Sequence, residues 1–138
     1  MNKLLAGGLA VILVAAGFLA WSPRAASLAA DDKGTMISHD VYFALKDNSA
    51  DAKKNLVAAC KKYLSDHPGT VFFSAGARVE ELDRPVNDKD WDVGLHIVFK
   101  TKADHDRYQD AAKHKTFIAE NQTNWKKVRV FDTKVEAQ

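Results

Sequence analysis

The chain has 138 residues, enough for one domain of ordinary size together with a separate N-terminal segment. Its 20 basic and 18 acidic residues nearly balance, and only Lys3 and Arg24 among them precede position 30. The remaining chain is therefore neutral, which excludes the strongly basic surface typical of nucleic-acid-binding domains. Cys60 is the only cysteine, so an intrachain disulfide is also excluded.

Residues 1–29 are typical of a signal peptide or an N-terminal membrane anchor. Lys3 precedes an uncharged, mostly apolar run over residues 4–21, and Pro23 ends that run. Small residues at 27–29 suit a cleavage site, whereas an apolar run of this length is also near the roughly 17–25 residues that span a bilayer. Both interpretations predict export, either to the periplasm or extracellular space or, with the segment retained, as a membrane-anchored protein.

Residues 30–35 are expected to form a linker, and residues 36–135 a domain that opens with a strand. Residues 47–49 supply helix-capping side chains, and apolar residues then recur at helical spacing over residues 50–66. Cys60 lies on that apolar stripe, where a buried thiol packs as a small hydrophobic group. The alternation in MISHDVYFALK predicts the first strand, with one face formed by Ile37, His39, Val41, Phe43 and Leu45.

Two more strands are predicted between this helix and the next one. TVFFSAGARVEEL predicts a strand over residues 70–82, and Gly76 within it suggests a bulge or a close backbone approach. WDVGLHIVFK predicts another over residues 91–100. The faces expected to meet the helices contain Val71, Phe73, Ala75, Ala77 and Val79 in the first, and Trp91, Val93, Leu95, Ile97 and Phe99 in the second.

Residues 102–123 are expected to form one broken helix or two short ones, and residues 125–135 a final strand. The order β-α-β-β-α-β predicts an α+β, ferredoxin-like antiparallel sheet with helices on one face. The opposite face is predicted to carry Tyr42, Ala44, Phe72, Val98 and Phe131. An apolar patch of about several hundred Å² is unusual on a soluble monomer, so a homodimer packed sheet to sheet is expected.

Four segments of the chain resemble the stress-responsive α/β-barrel (Dabb) domain family: SHDVYFALKD, FFSAGARVEE, WDVGLHIVFKTKADHDRYQDAAKHKTFI and VRVFDTKV. The resemblance extends from about Ile37 to Val135. Its markers are His39, Gly76, Tyr108 with His114, Phe117 and the pair Phe131-Asp132. It implies a dimeric α/β barrel built from two sheets, and the family name suggests a stress response. It implies no single activity.

A plant polyketide cyclase of this fold uses a tyrosine and a histidine at the spacing of Tyr108 and His114. The resemblance implies that these two residues are the catalytic pair. A histidine on the third strand of the cyclase corresponds to Val93 in this chain. In a continuous helix six residues rotate by about 600°, which would leave the two side chains about 120° apart. The family commonly has a proline between them, whereas this chain has strong helix formers at residues 111–113. The implied ligand-binding set is His39, Tyr108, His114, Phe117 and Val93.

His39 has the strand parity of the core face, so it should meet Tyr108 and His114 on the helix side of the sheet. A buried imidazole needs a hydrogen-bond partner, because an unpaired buried polar group costs about 1–3 kcal/mol. Three interpretations stay open: a satisfied core cluster, a ligand pocket without chemistry, and a catalytic site. In the last, neutral His114 takes a proton from a carbon flanked by carbonyls, Tyr108 holds the enolate oxygen, and His39 orients one of them.

No metal site and no cofactor are predicted. His67 and His105 are expected to be solvated near helix ends, and His96 to lie on the dimer face. None of the five histidines shows the close spacing of known metal motifs, and neither a metal held by His39 and His114 nor a haem on His114 has further support. The predicted functions are binding of a small hydrophobic or aromatic ligand, a polyketide-cyclase-like reaction, and a membrane-tethered dimerisation module without a ligand. Whether the protein is an enzyme stays open.

Overall fold

The computed structural model describes residues 35–136, in which four strands form one antiparallel sheet. The strands are β1 (Met36–Leu45), β2 (Thr70–Ala77), β3 (Val93–Phe99) and β4 (Trp125–Val135), in the order β2-β3-β1-β4. One face of the sheet is covered by three helices, α1 (Ala50–Leu64), α2 (Lys102–Asp110) and α3 (Ala112–Asn121). A short 3₁₀ turn (Gln122–Asn124) leads into β4. The ferredoxin-like fold is therefore confirmed. The expected N-terminal segment over residues 1–29 and nearly all of the linker lie outside the described residues.

The core forms where the alternating faces of β1 and β3 meet α1. Ser49 starts that helix by accepting a hydrogen bond from the Ala52 backbone N–H at 3.3 Å, as its capping chemistry predicts. Cys60 is fully buried, and this burial raises the pKa of its thiol to about 12, so it acts as a packing group. The core includes Val41, Phe43, Leu45, Leu56, Leu64, Val93, Leu95, Ile97 and Phe99.

Within residues 35–136 no helix has both the length and the apolar character to cross a membrane.

The predicted second strand was too long. It ends at Ala77, so Val79 lies beyond it and is exposed. Its register against β3 shifts between Thr70 and Phe72, and Val71 in that irregularity is exposed rather than buried. Gly76 forms no bulge, since it pairs in register with Gly94, and it makes no close approach, since an added Cβ would meet nothing within 4 Å.

The third strand also begins later than predicted. It starts at Val93, which leaves Trp91 outside the alternating pattern. The Trp91 ring packs against Tyr42, with 4.9 Å between ring centroids, on the sheet face away from the helices. The prediction that Trp91 faces the helices was therefore wrong.

The helix that follows β3 breaks at Ala111, whose φ of −63° and ψ of 139° are extended. Tyr108 and Phe117 are nine residues apart, so a continuous helix would point them about 180° apart. The break lets both side chains be buried. It also frees a backbone carbonyl, and the His114 ring nitrogen Nδ1 donates to that Gln109 oxygen at 3.1 Å. No proline is needed because the side chain of His114 replaces the lost helical hydrogen bond.

The face of the sheet opposite the helices carries an aromatic patch. Phe72 is 53% and Phe131 50% exposed, while Tyr42 and Val98 are partly buried. The patch is smaller than predicted because Ala44 is buried. His96 lies on this face, and its Nδ1 is 2.6 Å from the Asp40 carboxylate.

We expect Gly69→Ala to destabilise the domain. Gly69 has a φ of +85°, and a Cβ there would collide with the carboxyl group of Asp104. The left-handed conformation alone costs a non-glycine residue about 1–2 kcal/mol, so the free energy of unfolding should fall by at least that much in urea denaturation. Gly76→Ala is the matched control, since open space surrounds its position. Equal stability losses in the two variants would contradict this explanation.

Candidate functional site

A cavity of about 270 Å³ lies between the β1–β4 half of the sheet and helices α2 and α3. Its floor is built from residues that face each other across the two strands. Alternate residues of a strand share a face. Along this face the side chains change from polar at one end of the cavity to apolar at the other. The pairs are His39 with Asp132, Val41 with Val130, and Phe43 with Val128, and all six side chains line the cavity.

The polar end brings together the three residues that carried the sequence hypothesis. The ring centroids of Tyr108 and His114 are 4.5 Å apart, and those of His39 and Tyr108 are 5.6 Å apart. The expected 120° separation of Tyr108 and His114 does not apply, because the helix restarts at Ala112. All three side chains line the cavity.

The apolar end is formed by aromatic rings. Phe117 lies 6.1 Å from Phe43 and 5.8 Å from Trp125, measured between ring centroids, and all three line the cavity. Phe117 is thus where the resemblance implied. Val93 is not: it is fully buried in the core and lies outside the cavity wall.

Hydrogen bonds fix the tautomers of the cavity histidines. A backbone carbonyl only accepts, so His114 must carry its proton on Nδ1, which donates to Gln109. His39 likewise donates from Nδ1 to the Asp132 carboxylate at 2.7 Å. Each neutral ring therefore has its lone pair on Nε2. This leaves two unprotonated nitrogens available as acceptors or bases.

Burial keeps these rings neutral. Desolvation lowers the pKa of His39, and the hydrogen bond to Asp132 offsets part of that effect. Desolvation also lowers the pKa of His114, although its hydrogen bond to the Gln109 carbonyl opposes the shift. Both imidazoles are consequently bases rather than cations near neutral pH.

Tyr108 is the most enclosed polar side chain of the site, only 2% exposed. Desolvation raises the pKa of its phenol well above the usual value, so the hydroxyl stays protonated. Among residues 35–136 the hydroxyl has no hydrogen-bond partner, while its ring packs against Phe99, His67 and His114. Tyr108 lines the cavity, so this neutral donor without a protein partner is available to a ligand oxygen.

Three residues of this region were not predicted as site residues. Asp132 holds His39, and the adjacency of the first and last strands in a ferredoxin-like sheet was the signal that could have paired them. His105 and His67 were expected to be solvated, which was wrong. His105 is three residues from Tyr108 on the same helix face and packs against His39, at 5.1 Å between ring centroids. His67 is buried because its Nε2 donates to the Tyr63 carbonyl at 2.9 Å and its ring packs against Tyr108.

The lowered pKa of His114 predicts an acid-sensitive domain. Below about pH 6.5 the unfolded chain binds a proton at this ring more readily than the native state does. The stabilisation is therefore complete above about pH 6.5 and is lost as pH falls through the native pKa. His39, His67 and His105 face this ring, and any positive charge on them lowers its pKa further.

Urea denaturation between pH 5 and pH 8 measures this dependence. We expect His114→Gln to lose less stability than the native chain over the acid part of that range, while His39 keeps some slope in both. Identical pH profiles of the two proteins would show that His114 does not contribute to the pH dependence of stability.

Fold and cavity together define a ferredoxin-like α+β domain with a candidate ligand site between sheet and helices. The sequence profile of the Stress responsive A/B Barrel Domain, Dabb, matches residues 37–135. The chain therefore belongs to the Dabb family, as its resemblance to that family indicated. No curated protein sequence matches it significantly.

Several solved structures share this fold. A Dabb family protein with a ferredoxin-like fold from Mesorhizobium loti is 26% identical, with a TM-score of 0.61 over 75% of this chain and 99% of its own. A dimeric ferredoxin-like protein of unknown function from Thermobifida fusca is 17% identical, with a TM-score of 0.61 over 75% and 93%. The hydroxynitrile lyase of Passiflora edulis is 16% identical, with a TM-score of 0.60 over 75% and 95%. At 17% and 16% identity, the Thermobifida fusca and Passiflora edulis structures show only that the fold is shared.

Proposed function

We propose that the protein binds a small hydrophobic or aromatic molecule in the cavity between its sheet and helices. The observation that carries this proposal is the gradient along the cavity floor, from the His39–Asp132 pair to the Phe43–Val128 pair. Ligand sites are mostly apolar clefts with a few convergent polar groups. A molecule with one oxygen-bearing end and one apolar end fits that arrangement.

Cavity size and unpaired donors narrow the ligand class. The volume of about 270 Å³ is just below the roughly 300–1,000 Å³ of sites for drug-sized ligands, which favours a single substituted ring or a short chain. The indole N–H of Trp125 in the cavity wall is buried and has no hydrogen-bond partner among the described residues. That N–H is shielded at the apolar end, so the Tyr108 hydroxyl at the polar end is the donor that favours a ligand with one acceptor atom.

A thermal-shift screen of the full-length chain against phenols, aromatic acids and β-keto compounds tests the proposal. A ligand present at about 100 times its dissociation constant adds about 2.7 kcal/mol to native stability. For a domain near 100 residues this raises Tm by about 10 °C or more. A compound whose thermal shift disappears in His114→Ala would be one that binds at the polar end of the cavity. Absence of any shift across all three classes would count against the proposal.

A second candidate function, carbon-acid proton transfer as in a lyase or cyclase, is favoured by the fixed tautomer of His114. Nε2 of that ring would take a proton from a carbon next to a carbonyl, and the electron pair of the broken C–H bond would move to the carbonyl oxygen. The neutral Tyr108 hydroxyl would hydrogen-bond to that oxygen as negative charge develops. The fold shared with a hydroxynitrile lyase shows that this architecture accommodates an enzyme of the lyase type.

Tyr108→Phe separates the two candidate functions. The substitution removes a hydroxyl that has no protein partner and keeps the buried ring, so stability should change by less than about 1 kcal/mol. If the protein only binds, an apolar ligand found in the screen should bind with little change in Kd. If it catalyses, turnover of a β-keto substrate should fall by about 10²–10³-fold, the usual effect of losing one oxyanion donor. Unchanged turnover would remove Tyr108 from the mechanism.

We also propose that the chain is a homodimer packed sheet to sheet, with Tyr42, Phe72, Val98 and Phe131 in the interface. The exposure of Phe72 and Phe131 supports this, as does the dimeric state of the Thermobifida fusca protein. We propose export from the sequence of residues 1–29, with its basic start, its apolar run and its small residues at 27–29. Cell fractionation together with the mass of the purified protein tests export, and a stress-linked role follows only from the family name.

A further inference from the structure

Three potential metal ligands from three different elements converge beside the polar end of the cavity. His39 comes from β1, His105 from α2 and Asp132 from β4. One ligand atom from each lies within 4.8 Å of the other two. Asp132 Oδ1 is 2.7 Å from His39 Nδ1 and 3.8 Å from His105 Nε2.

We propose that His39, His105 and Asp132 bind a divalent transition-metal ion of the zinc type. Two imidazole nitrogens and one carboxylate oxygen suit zinc, cobalt, nickel or ferrous iron, whereas calcium and magnesium prefer all-oxygen sites. Three protein ligands also leave a coordination position open, as in catalytic rather than structural zinc sites. The site thus differs from the acid–base arrangement of Tyr108 and His114.

The distances suit an ion placed between the three atoms. Ligands about 2.0–2.1 Å from zinc lie roughly 3.0–3.4 Å from one another. The two distances to Asp132 Oδ1, 2.7 Å and 3.8 Å, fall on either side of that range. The two imidazole nitrogens lie within 4.8 Å of each other, so side-chain rotation that draws them together around an ion completes the site. The His39 ring proton moves from Nδ1 to Nε2 when Nδ1 becomes a ligand, so the ring stays neutral.

His105 has the tautomer that a ligand at Nε2 needs, and a bound ion would replace the Gln109 amide at that nitrogen. Its Nδ1 lies 3.4 Å from the Asp106 carboxylate, and its Nε2 accepts a hydrogen bond from the Gln109 side-chain amide at 3.2 Å. Nε2 therefore carries the lone pair. A carboxylate on the far nitrogen of a ligating histidine fixes its tautomer and raises its basicity, and such partners are common around metal ligands.

Asp132 connects this site to solvent and to the cavity. Its side chain is 49% exposed. It lines both the main cavity and an open pocket of about 300 Å³, which His105 and Asp106 also line. Lys102 and Lys134 lie in the same pocket, but the Lys102 ammonium group is paired with Asp106 at 2.6 Å. An ion can therefore enter from solvent, and its open position can face a ligand in the main cavity.

Titration of the full-length chain with Co²⁺, followed by its visible absorption and by displacement with Zn²⁺, tests the proposal. We expect one ion per protomer after dialysis, measured by elemental analysis. His105→Gln should weaken binding by at least about 100-fold, since losing even an outer partner of a metal ligand costs about 10–100-fold. Asp132→Asn, at a half-exposed position, should do the same without affecting the fold.

His96→Gln is the matched control. His96 pairs with Asp40 at 2.6 Å, much as His39 pairs with Asp132, but this pair belongs to no group of three potential ligands within residues 35–136. The control should bind cobalt like the native chain. Failure of the native chain to retain an ion, or equal binding by native chain, His105→Gln and Asp132→Asn, would overturn the proposal. Neither result depends on whether an organic ligand binds, so the proposed function is tested separately.

Discussion

Replacing Phe131 by aspartate should convert the proposed homodimer into monomers. Phe131 lies on the sheet face opposite the helices, and its ring packs against Tyr42 at 5.9 Å between centroids. Half of it remains exposed in one protomer, so this half is available to a second copy. An interface aromatic that acts as a hot spot contributes 2 kcal/mol or more, and an unpaired carboxylate buried there adds a desolvation cost.

The expected result is a rise in the dimer dissociation constant of at least about 30-fold, the equivalent of 2 kcal/mol. Analytical ultracentrifugation over a dilution series measures it. Ala119→Asp is the control, because it places the same charge at an exposed position on α3, in the helix layer. A monomeric native chain, or a Phe131→Asp variant that still dimerises normally, would contradict the sheet-to-sheet arrangement.

Replacing Val130 by tryptophan should abolish ligand binding while leaving the fold intact. Val130 lies opposite Val41 at the middle of the cavity floor, yet it is 50% exposed. An indole ring at this position can enter the cavity without displacing core side chains. The polar end would then be separated from the apolar end, and a ligand that needs both would no longer fit.

The thermal stabilisation by any compound found in the screen should fall to less than a tenth in Val130→Trp, with Tm in the absence of ligand near that of the native chain. Val79→Trp is a suitable control because Val79 is exposed to a similar degree, 48%, and lies outside this cavity. Stabilisation that survives Val130→Trp would place the ligand elsewhere on the protein.

The sheet could be predicted from sequence because β1, β3 and β4 alternate over several residues, and hydrophobic alternation is the primary signal for a strand. His39 could be placed on the helix face by the same parity. β2 was predicted less well because its register shifts near Val71, a backbone irregularity that side-chain periodicity does not record. Trp91 was misplaced because the hydrophobic alternation of the sequence extends to residues that precede the strand.

The site was only partly predictable because its geometry depends on the helix break at Ala111. Alanine carries no breaking signal; the break is stabilised by tertiary burial of Tyr108 and Phe117 and by the side chain of His114. His105 looked solvated in a run of charged residues, and only packing brings it against His39. Contacts between β1, α2 and β4 are non-local, so no sequence motif of fixed spacing predicts them.

Calorimetric titration of the compound with the largest thermal shift into the native chain, at several temperatures, tests the central claim most directly. A ligand that buries its apolar end among Phe43, Phe117 and Trp125 should bind once per protomer. It should also bind with a negative heat-capacity change, which marks burial of apolar surface. No saturable heat, or a heat-capacity change near zero, would contradict a ligand site in this cavity.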